Sequence, residues 1–423
     1  MSIAASVLFA LSFIYIAYVL VGYPLWLGVR ARRPRPVHAA AFEPSVTVIL
    51  AVHNGERWIT EKLESILRLE YPADKLQILV VSDGSTDGTI AKASAFQNLG
   101  VEIVDLPRSG KAAAINAGLA VARGEILLFT DVRQLLAPDS LRYLTACFSD
   151  PEVGVVSGEL IIGQAGDRHQ ECISLYWRYE KWIRKCLSRV DSVLGATGAI
   201  YAMRRALAKP LPQDVLLDDV YLPLLALFAG YRVIFEGRAL AYDVATSLNT
   251  EFGRKVRTQA GIYQLLGLFP QLLSRANRLR FDFISHKLGR LLLPFAFLTM
   301  AISSFGLPGL LCPIAVGAQC AFYLLALIDV ILPDGFPLKR ISAPVRTFVT
   351  LVVAALAAVS IFFRAAGSLW NKVTVPEAAS DSARAVRPGN VSVPVATSTA
   401  VPAGSEVRAK DDDRGVRINN IAG

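Results

Sequence analysis

The chain has 423 residues, room for two or three units at the usual domain size. Its 44 Lys and Arg outnumber 35 Asp and Glu, a net charge of +9, yet only 19% of residues are charged and 53% are hydrophobic. That balance excludes wholesale disorder, and five cysteines with no CxxC spacing exclude a disulfide scaffold; it implies membrane segments beside an ordinary domain.

In chain order, Ile3 to Val29 carries no charge over 27 residues, more than the roughly 20 that span a bilayer. Arg30, Arg32, Arg33 and Arg35 follow, so residues 1–30 read as a transmembrane anchor with its N-terminus outside and its Arg side cytoplasmic. Residues 42–286 have the composition of a soluble domain. Ser45–Val52, Leu76–Val81, Val101–Val104, Ile126–Phe129 and Val153–Val156 are short apolar, β-branched runs and predict buried strands. Glu56–Leu69, Thr86–Leu99, Lys111–Ala122 and Pro138–Phe148 predict the helices between them. The alternation implies an α/β domain, a doubly wound, mostly parallel sheet with helices on both faces. Residues 290–366 read as C-terminal transmembrane helices: an apolar hairpin from Leu291 to Pro333 with Asp329 its one charge, then Thr347–Phe363. Residues 373–423 are rich in Pro, Ser, Ala and charge and predict a disordered tail. The excess basic charge sits beside the apolar helices, where anionic lipid headgroups are the natural partner. No basic, aromatic-laced patch that would mark nucleic-acid binding is visible.

In open α/β sheets ligands bind outside the carboxyl ends of the strands. There the sequence places its polar residues: Val52-His53-Asn54-Gly55-Glu56 after the first strand, Asp83-Gly84-Ser85-Thr86-Asp87-Gly88 after the second, and Thr130-Asp131-Val132-Arg133 after the fourth. The Asp83 segment suits a base or ribose; a plain capped turn is the alternative, and a calcium loop fails at position 12, which is Ser94. Gly110-Lys111 opens a helix, a placement that suits a phosphate, although no P-loop or dinucleotide fingerprint is present. Asp131 sits where a diphosphate-bound Mg²⁺ or Mn²⁺ would, and Arg133 would add charge neutralisation; otherwise Asp131 is a helix cap. Asp218-Asp219 is an adjacent pair whose mutual repulsion favours a proton acceptor near neutrality, or again a cap. Gly195-Ala196-Thr197-Gly198 is small enough to floor a sugar site, or simply to turn the chain. Arg254-Lys255-Val256-Arg257 would clamp a diphosphate or face lipid phosphates.

Taken together and in this order, these segments resemble the family 2 glycosyltransferases, an inverting group with the GT-A fold, over roughly residues 44–265. Further matches are Asn116, Phe129 before Thr130-Asp131, and Gly230-Tyr231-Arg232-Val233. The resemblance implies a nucleotide-sugar donor, most often a UDP-sugar. Val52, Asn54, Glu56, Asp83 and Ser85 would hold the nucleoside, with Lys111, Arg133 and Arg257 near the phosphates and Asp131 on the metal. Asp219, beside Asp218, would be the base, and Gly195, Thr197 and Gly198 would lie against the sugar or acceptor. Two positions depart from the family: Arg133 replaces the second acid of its Asp-x-Asp metal motif, and only Arg257 remains of the Gln-x-x-Arg-Trp motif of its processive synthases. The expectation is therefore single-sugar addition to a surface glycan or lipid-linked acceptor at the cytoplasmic face of the inner membrane. A processive, secreting polysaccharide synthase is the nearer alternative. A membrane transporter is the more distant one, with Asp329 as a poor intramembrane ionisable candidate.

Overall fold

The computed structural model describes residues 3–163, 168–244, 248–333 and 335–363. The tail expected to be disordered, residues 373–423, lies outside the described residues. Among the described residues, eight strands form one sheet: β1 (Val46–Val52), β2 (Leu76–Asp83), β3 (Val101–Leu106), β4 (Ile126–Phe129), β5 (Leu135–Leu136), β6 (Val153–Gly163), β7 (Tyr201–Arg204) and β8 (Arg232–Val244). Their order is β3-β2-β1-β4-β7-β6-β8-β5. The first four are parallel, as the strand–helix alternation predicts. The sheet then becomes mixed, because β7 enters antiparallel between β4 and β6.

Alternation along β1 shows how the strands hold two apolar layers. Val46, Val48, Leu50 and Val52 face a core built on α2 (Ile59–Leu67) and α5 (Ser140–Ala146), while Ile49 faces the other side. There α4 (Lys111–Val121) lies close, since a Cβ on Gly118 would come within 2.8 Å of Ile49. The second layer continues through α6 (Arg168–Val190), α7 (Asp218–Phe228) and α8 (Leu248–Leu268). α3 (Thr89–Ser94) completes the set beside β3.

Among the described residues, four helices are long and apolar enough to cross a membrane: α1 (Ile3–Arg30), α9 (Arg280–Ser304), α10 (Leu311–Ile328) and α11 (Lys339–Phe362). α11 begins at Lys339 instead of Thr347, because its polar first turns are tied to what precedes them. Ser342 donates to Asp329 at 2.6 Å, and Arg346 pairs with the same fully buried carboxylate at 3.3 Å. The end of α1 joins the domain core through Tyr23, Leu27 and Ala31, and Arg30 and Tyr23 both bind Asp282 of α9. The chain leaving α1 is held by Arg232 of β8. This guanidinium is 1% exposed and donates to the carbonyls of Arg35, Pro36, Ser188 and Asp191.

Candidate active site

Strands β1, β2 and β4 end on one rim, and the turns that follow β1 and β2 are bonded to each other. Val52 contributes main chain only, since its side chain is buried in the core. Asn54 adopts φ 50°, which a short polar side chain tolerates. Its amide donates to Ser85 Oγ at 3.1 Å and its side-chain oxygen accepts from the Thr86 amide at 2.8 Å. Glu56 accepts from the Gly88 amide at 3.0 Å, and its own amide donates to Asp87 at 3.1 Å. The acids of the Asp83–Gly88 segment are thus engaged in bracing and capping.

Asp83, at the end of β2, is 2% exposed. One carboxylate oxygen accepts the amides of Ser109 and Gly110 at 2.6 and 2.9 Å, and the other pairs with Arg108. Its carbonyl is 2.8 Å from His53 Nδ1. Gly84, at φ 61°, has to be glycine, because a Cβ would lie 2.5 Å from the Arg108 amide. Asp83 therefore fixes the loop that opens α4 and aims Lys111.

Lys111 reaches across the rim. Its ammonium lies 3.0 Å from Asp131 and 3.2 Å from Asp218. Behind Asp131 the turn Gly195–Gly198 wraps the start of α7: the Ala196 amide donates to the Asp219 carbonyl at 2.7 Å and the Gly198 amide to Asp219 Oδ2 at 3.0 Å. Gly195, at φ 145°, would press a Cβ to 2.9 Å from Val220. A Cβ on Gly198 would meet Asp219 Oδ2 at 3.3 Å and Asp131 Oδ2 at 3.4 Å, so both oxygens converge on that glycine. The Thr197 amide is anchored on Ser157 Oγ, which also accepts from Arg184 of α6 at 2.6 Å.

Charge separates the roles of these acids. Burial, then the neighbouring Asp218, pushes Asp219 up to about 6. Burial also works on Asp131, but Lys111, Lys62 and Arg257 hold it below its ordinary value. Burial opposes the charge on Lys111, yet Asp131, Asp218 and Asp219 more than offset it, so it stays protonated. Arg257 of α8 lies in electrostatic range of Asp219 and Asp131.

Arg133 is the exception among the expected residues. It is turned away from the rim and pairs with buried Asp243 of β8 at 2.6 Å, where Gln134 also donates at 2.7 Å. The chain has left β4 at Phe129, so strand periodicity no longer puts Asp131 and Arg133 on one side. Three residues beyond the sequence reading also support the site. Lys62 is fully buried under Asp131 and donates to Thr130 Oγ1 at 2.6 Å and to the Gln134 carbonyl at 2.5 Å. Burial pulls it down to about 7 against the more distant Asp131 and Asp243. Its sequence signal is its place on the apolar stripe Ile59, Lys62, Leu63, Ile66. Arg184 and Ser157 carry no such signal.

The donor set suits a hard divalent cation. Asp131 presents Oδ2 beside a glycine that leaves the space open, and Mg²⁺-type ions are commonly held by one or two carboxylates plus substrate phosphates. No cluster of three or more His, Cys, Asp or Glu suited to a metal occurs among the described residues, so such an ion would depend on the substrate for ligands.

Residues 47–210 match the family model described as Glycosyl transferase family 2. An N-acetylglucosaminyltransferase of Rhizobium meliloti is 29% identical over 276 residues, 60% of this chain and 65% of that protein. A poly-beta-1,6-N-acetyl-D-glucosamine synthase of Staphylococcus epidermidis is 25% identical over 232 residues, 52% of this chain and 55% of that protein. The chain thus spans little more than half the length of the latter. Among solved structures, the mannosyltransferase PcManGT of Pyrobaculum calidifontis, in complex with GDP-Man and Mn²⁺, superposes with a TM-score of 0.67 at 26% identity. That match covers 84% of this chain and 99% of the other. Asp218, Asp219 and Arg257 lie beyond the family-model match but within reach of its rim. Residues 47–210 are a family 2 glycosyltransferase domain of the GT-A fold.

Proposed function

We propose that the chain is an inverting glycosyltransferase that moves one sugar from a nucleotide sugar, a UDP-sugar in the first instance, to a surface glycan or its lipid-linked precursor. It would act at the cytoplasmic face of the inner membrane, with α1, α10, α11 and the part of α9 from about residue 290 in the bilayer and residues 42–286 in the cytoplasm. The observation that carries this reading is the convergence of Asp131 and Asp219 on Gly198, with Lys111 bridging Asp131 and Asp218.

In this reading the turns after β1 and β2, held by Asn54, Glu56, Asp83 and Ser85, receive the nucleoside. Lys111 and Arg257 face the diphosphate with fixed positive charge. Asp131 would hold Mg²⁺ or Mn²⁺, which when bound neutralises the leaving diphosphate. Asp219 takes the proton of the acceptor hydroxyl as its oxygen bonds to the anomeric carbon, and the bond from that carbon to the phosphate oxygen breaks on the opposite side. The Gly195–Gly198 turn leaves room for the sugar and keeps the Asp219 carboxylate in place through the Gly198 amide. Arg133, spent on Asp243, takes no part at the diphosphate.

Incubating membranes that contain the chain with a panel of radiolabelled nucleotide sugars tests the reading. One donor should pass its label to an acceptor fraction; no turnover of any donor would defeat it. Chelation with EDTA should stop transfer and added Mn²⁺ restore it, whereas EDTA-insensitive transfer would show that Lys111 suffices. The base must be unprotonated to act. The transfer rate should therefore fall about tenfold per pH unit below about 6, as measured by a pH profile of kcat/KM.

A further inference from the structure

The apolar helices leave a cavity of about 300 Å³ where α1, α6, α8, α9 and α11 meet. Leu293 of α9 and Phe348, Leu351 and Val352 of α11 are among its apolar lining residues. Arg290 is its one charged lining residue, and Gln259 of α8 lies beside it. The volume is at the lower end of ligand sites, and the lining is apolar with a few polar groups, as such sites usually are. A path for a polysaccharide would need partners for its many hydroxyls, which these walls do not supply.

Charge connects this cavity to the catalytic rim. Arg290 pairs with Glu180 of α6. One turn along the same helix, Arg184 lies in electrostatic range of both Glu180 and Asp219, and it bonds to Ser157, which anchors the Thr197 amide. Lys287 of α9 is also in range of Asp219 and of Glu180. On α8, Arg257 faces the rim two residues before Gln259 lines the cavity. Arg257, Arg184, Lys287 and Arg290 thus lie between Asp219 and an apolar chamber as a strip with more cations than acids, its carboxylates being Glu180, paired with Arg290, and Glu159, in range of Arg184 and paired with Lys181.

We propose that the cavity holds the hydrocarbon chain of a lipid acceptor with an anionic head, and that the cationic strip lays this head toward Asp219. The proposal rests on the transferase reading and narrows its acceptor to an amphiphile. Burial of the chain sets the depth of the acceptor, and the phosphate-like head sets its direction. Headgroup charge then places the hydroxyl to be glycosylated at Asp219.

The test uses the full chain in phosphatidylcholine nanodiscs and a hexadecyl phosphate carrying a mid-chain diazirine. Photolabelling mapped by mass spectrometry should concentrate on residues 344–352 and around Leu293. Leu351→Trp, which fills the cavity, should lower that labelling by about tenfold. Unlabelled hexadecyl phosphate should compete, and a soluble glucan hexasaccharide should not. Label spread evenly over the outer faces of the four helices, or unchanged in Leu351→Trp, would overturn the proposal, as would competition by the hexasaccharide alone. If Leu351→Trp does not fold, Val352→Phe and the competition arms give the same decision. UDP and GDP binding is read in parallel: a chain that takes the probe in the cavity but binds neither nucleotide defeats the transferase reading while the lipid site stands.

Discussion

Asp219→Asn should lower the transfer rate by about two to four orders of magnitude, the usual worth of a positioned general base. The side chain keeps its shape, and its oxygen can still accept the Gly198 amide, so the Gly195–Gly198 turn should hold. Nucleotide binding should survive, because Asp83, Lys111 and Asp131 are untouched. Single-turnover transfer, with nucleotide binding measured by calorimetry on the same protein, separates the two quantities. Unchanged turnover would remove Asp219 from the role of base. Lost turnover together with lost nucleotide binding would mean that the substitution disturbed the rim itself. Asp218 is the less suitable base, because Lys111 holds it at 3.2 Å and it is buried, whereas Asp219 is partly exposed.

Arg232→Met should cost about 4 kcal/mol of stability, since four backbone carbonyls would lose their donor inside the protein at ~1–3 kcal/mol for each one left unsatisfied. For a domain of this size that corresponds to a fall of about 10 °C in the apparent unfolding midpoint. Two of those carbonyls, of Arg35 and Pro36, belong to the segment leaving α1, so the loss should also loosen the anchor from the sheet. Arg238→Met is the control. Arg238 is 60% exposed on its side chain and pairs with Glu236 at the surface, so its loss should cost no more than ~1 kcal/mol. Thermal unfolding in detergent, with limited proteolysis between residues 31 and 45, reads both effects. Equal midpoints for the two variants would refute the account of Arg232.

The parallel half of the sheet was legible because its signal is local. β1, β2 and β4 are mostly apolar runs, each ended by turn residues, and their common direction follows from the helices between them. The rim was legible for the same reason: strand ends of a parallel sheet fall on one side, whatever their distance in sequence. What lay hidden depends on partners that no local window contains. β7 is four residues long and antiparallel, and only its pairing with Phe129 and Ser157 distinguishes it from the turn before it. Arg133 suggested a phosphate contact from its place after Asp131, but its partner Asp243 is 110 residues away. Lys62 stood on an apolar helical stripe, yet nothing nearby named Thr130 and Gln134 as the groups it would bind. Asp83 was read as a nucleoside contact. In the structure it orders residues 108–110, a use of the carboxylate that the turn chemistry of its own segment does not reveal.

Nucleotide binding to the full chain tests most directly whether acids from separate strand ends form one donor site. Calorimetric titration with the tighter of UDP and GDP, with and without Mn²⁺, compares the wild type with Asp83→Asn and Asp131→Asn. The account predicts that Asp83→Asn weakens binding with or without the ion, while Asp131→Asn removes only the increment that Mn²⁺ adds. Wild-type affinity in both variants, under both conditions, would contradict it.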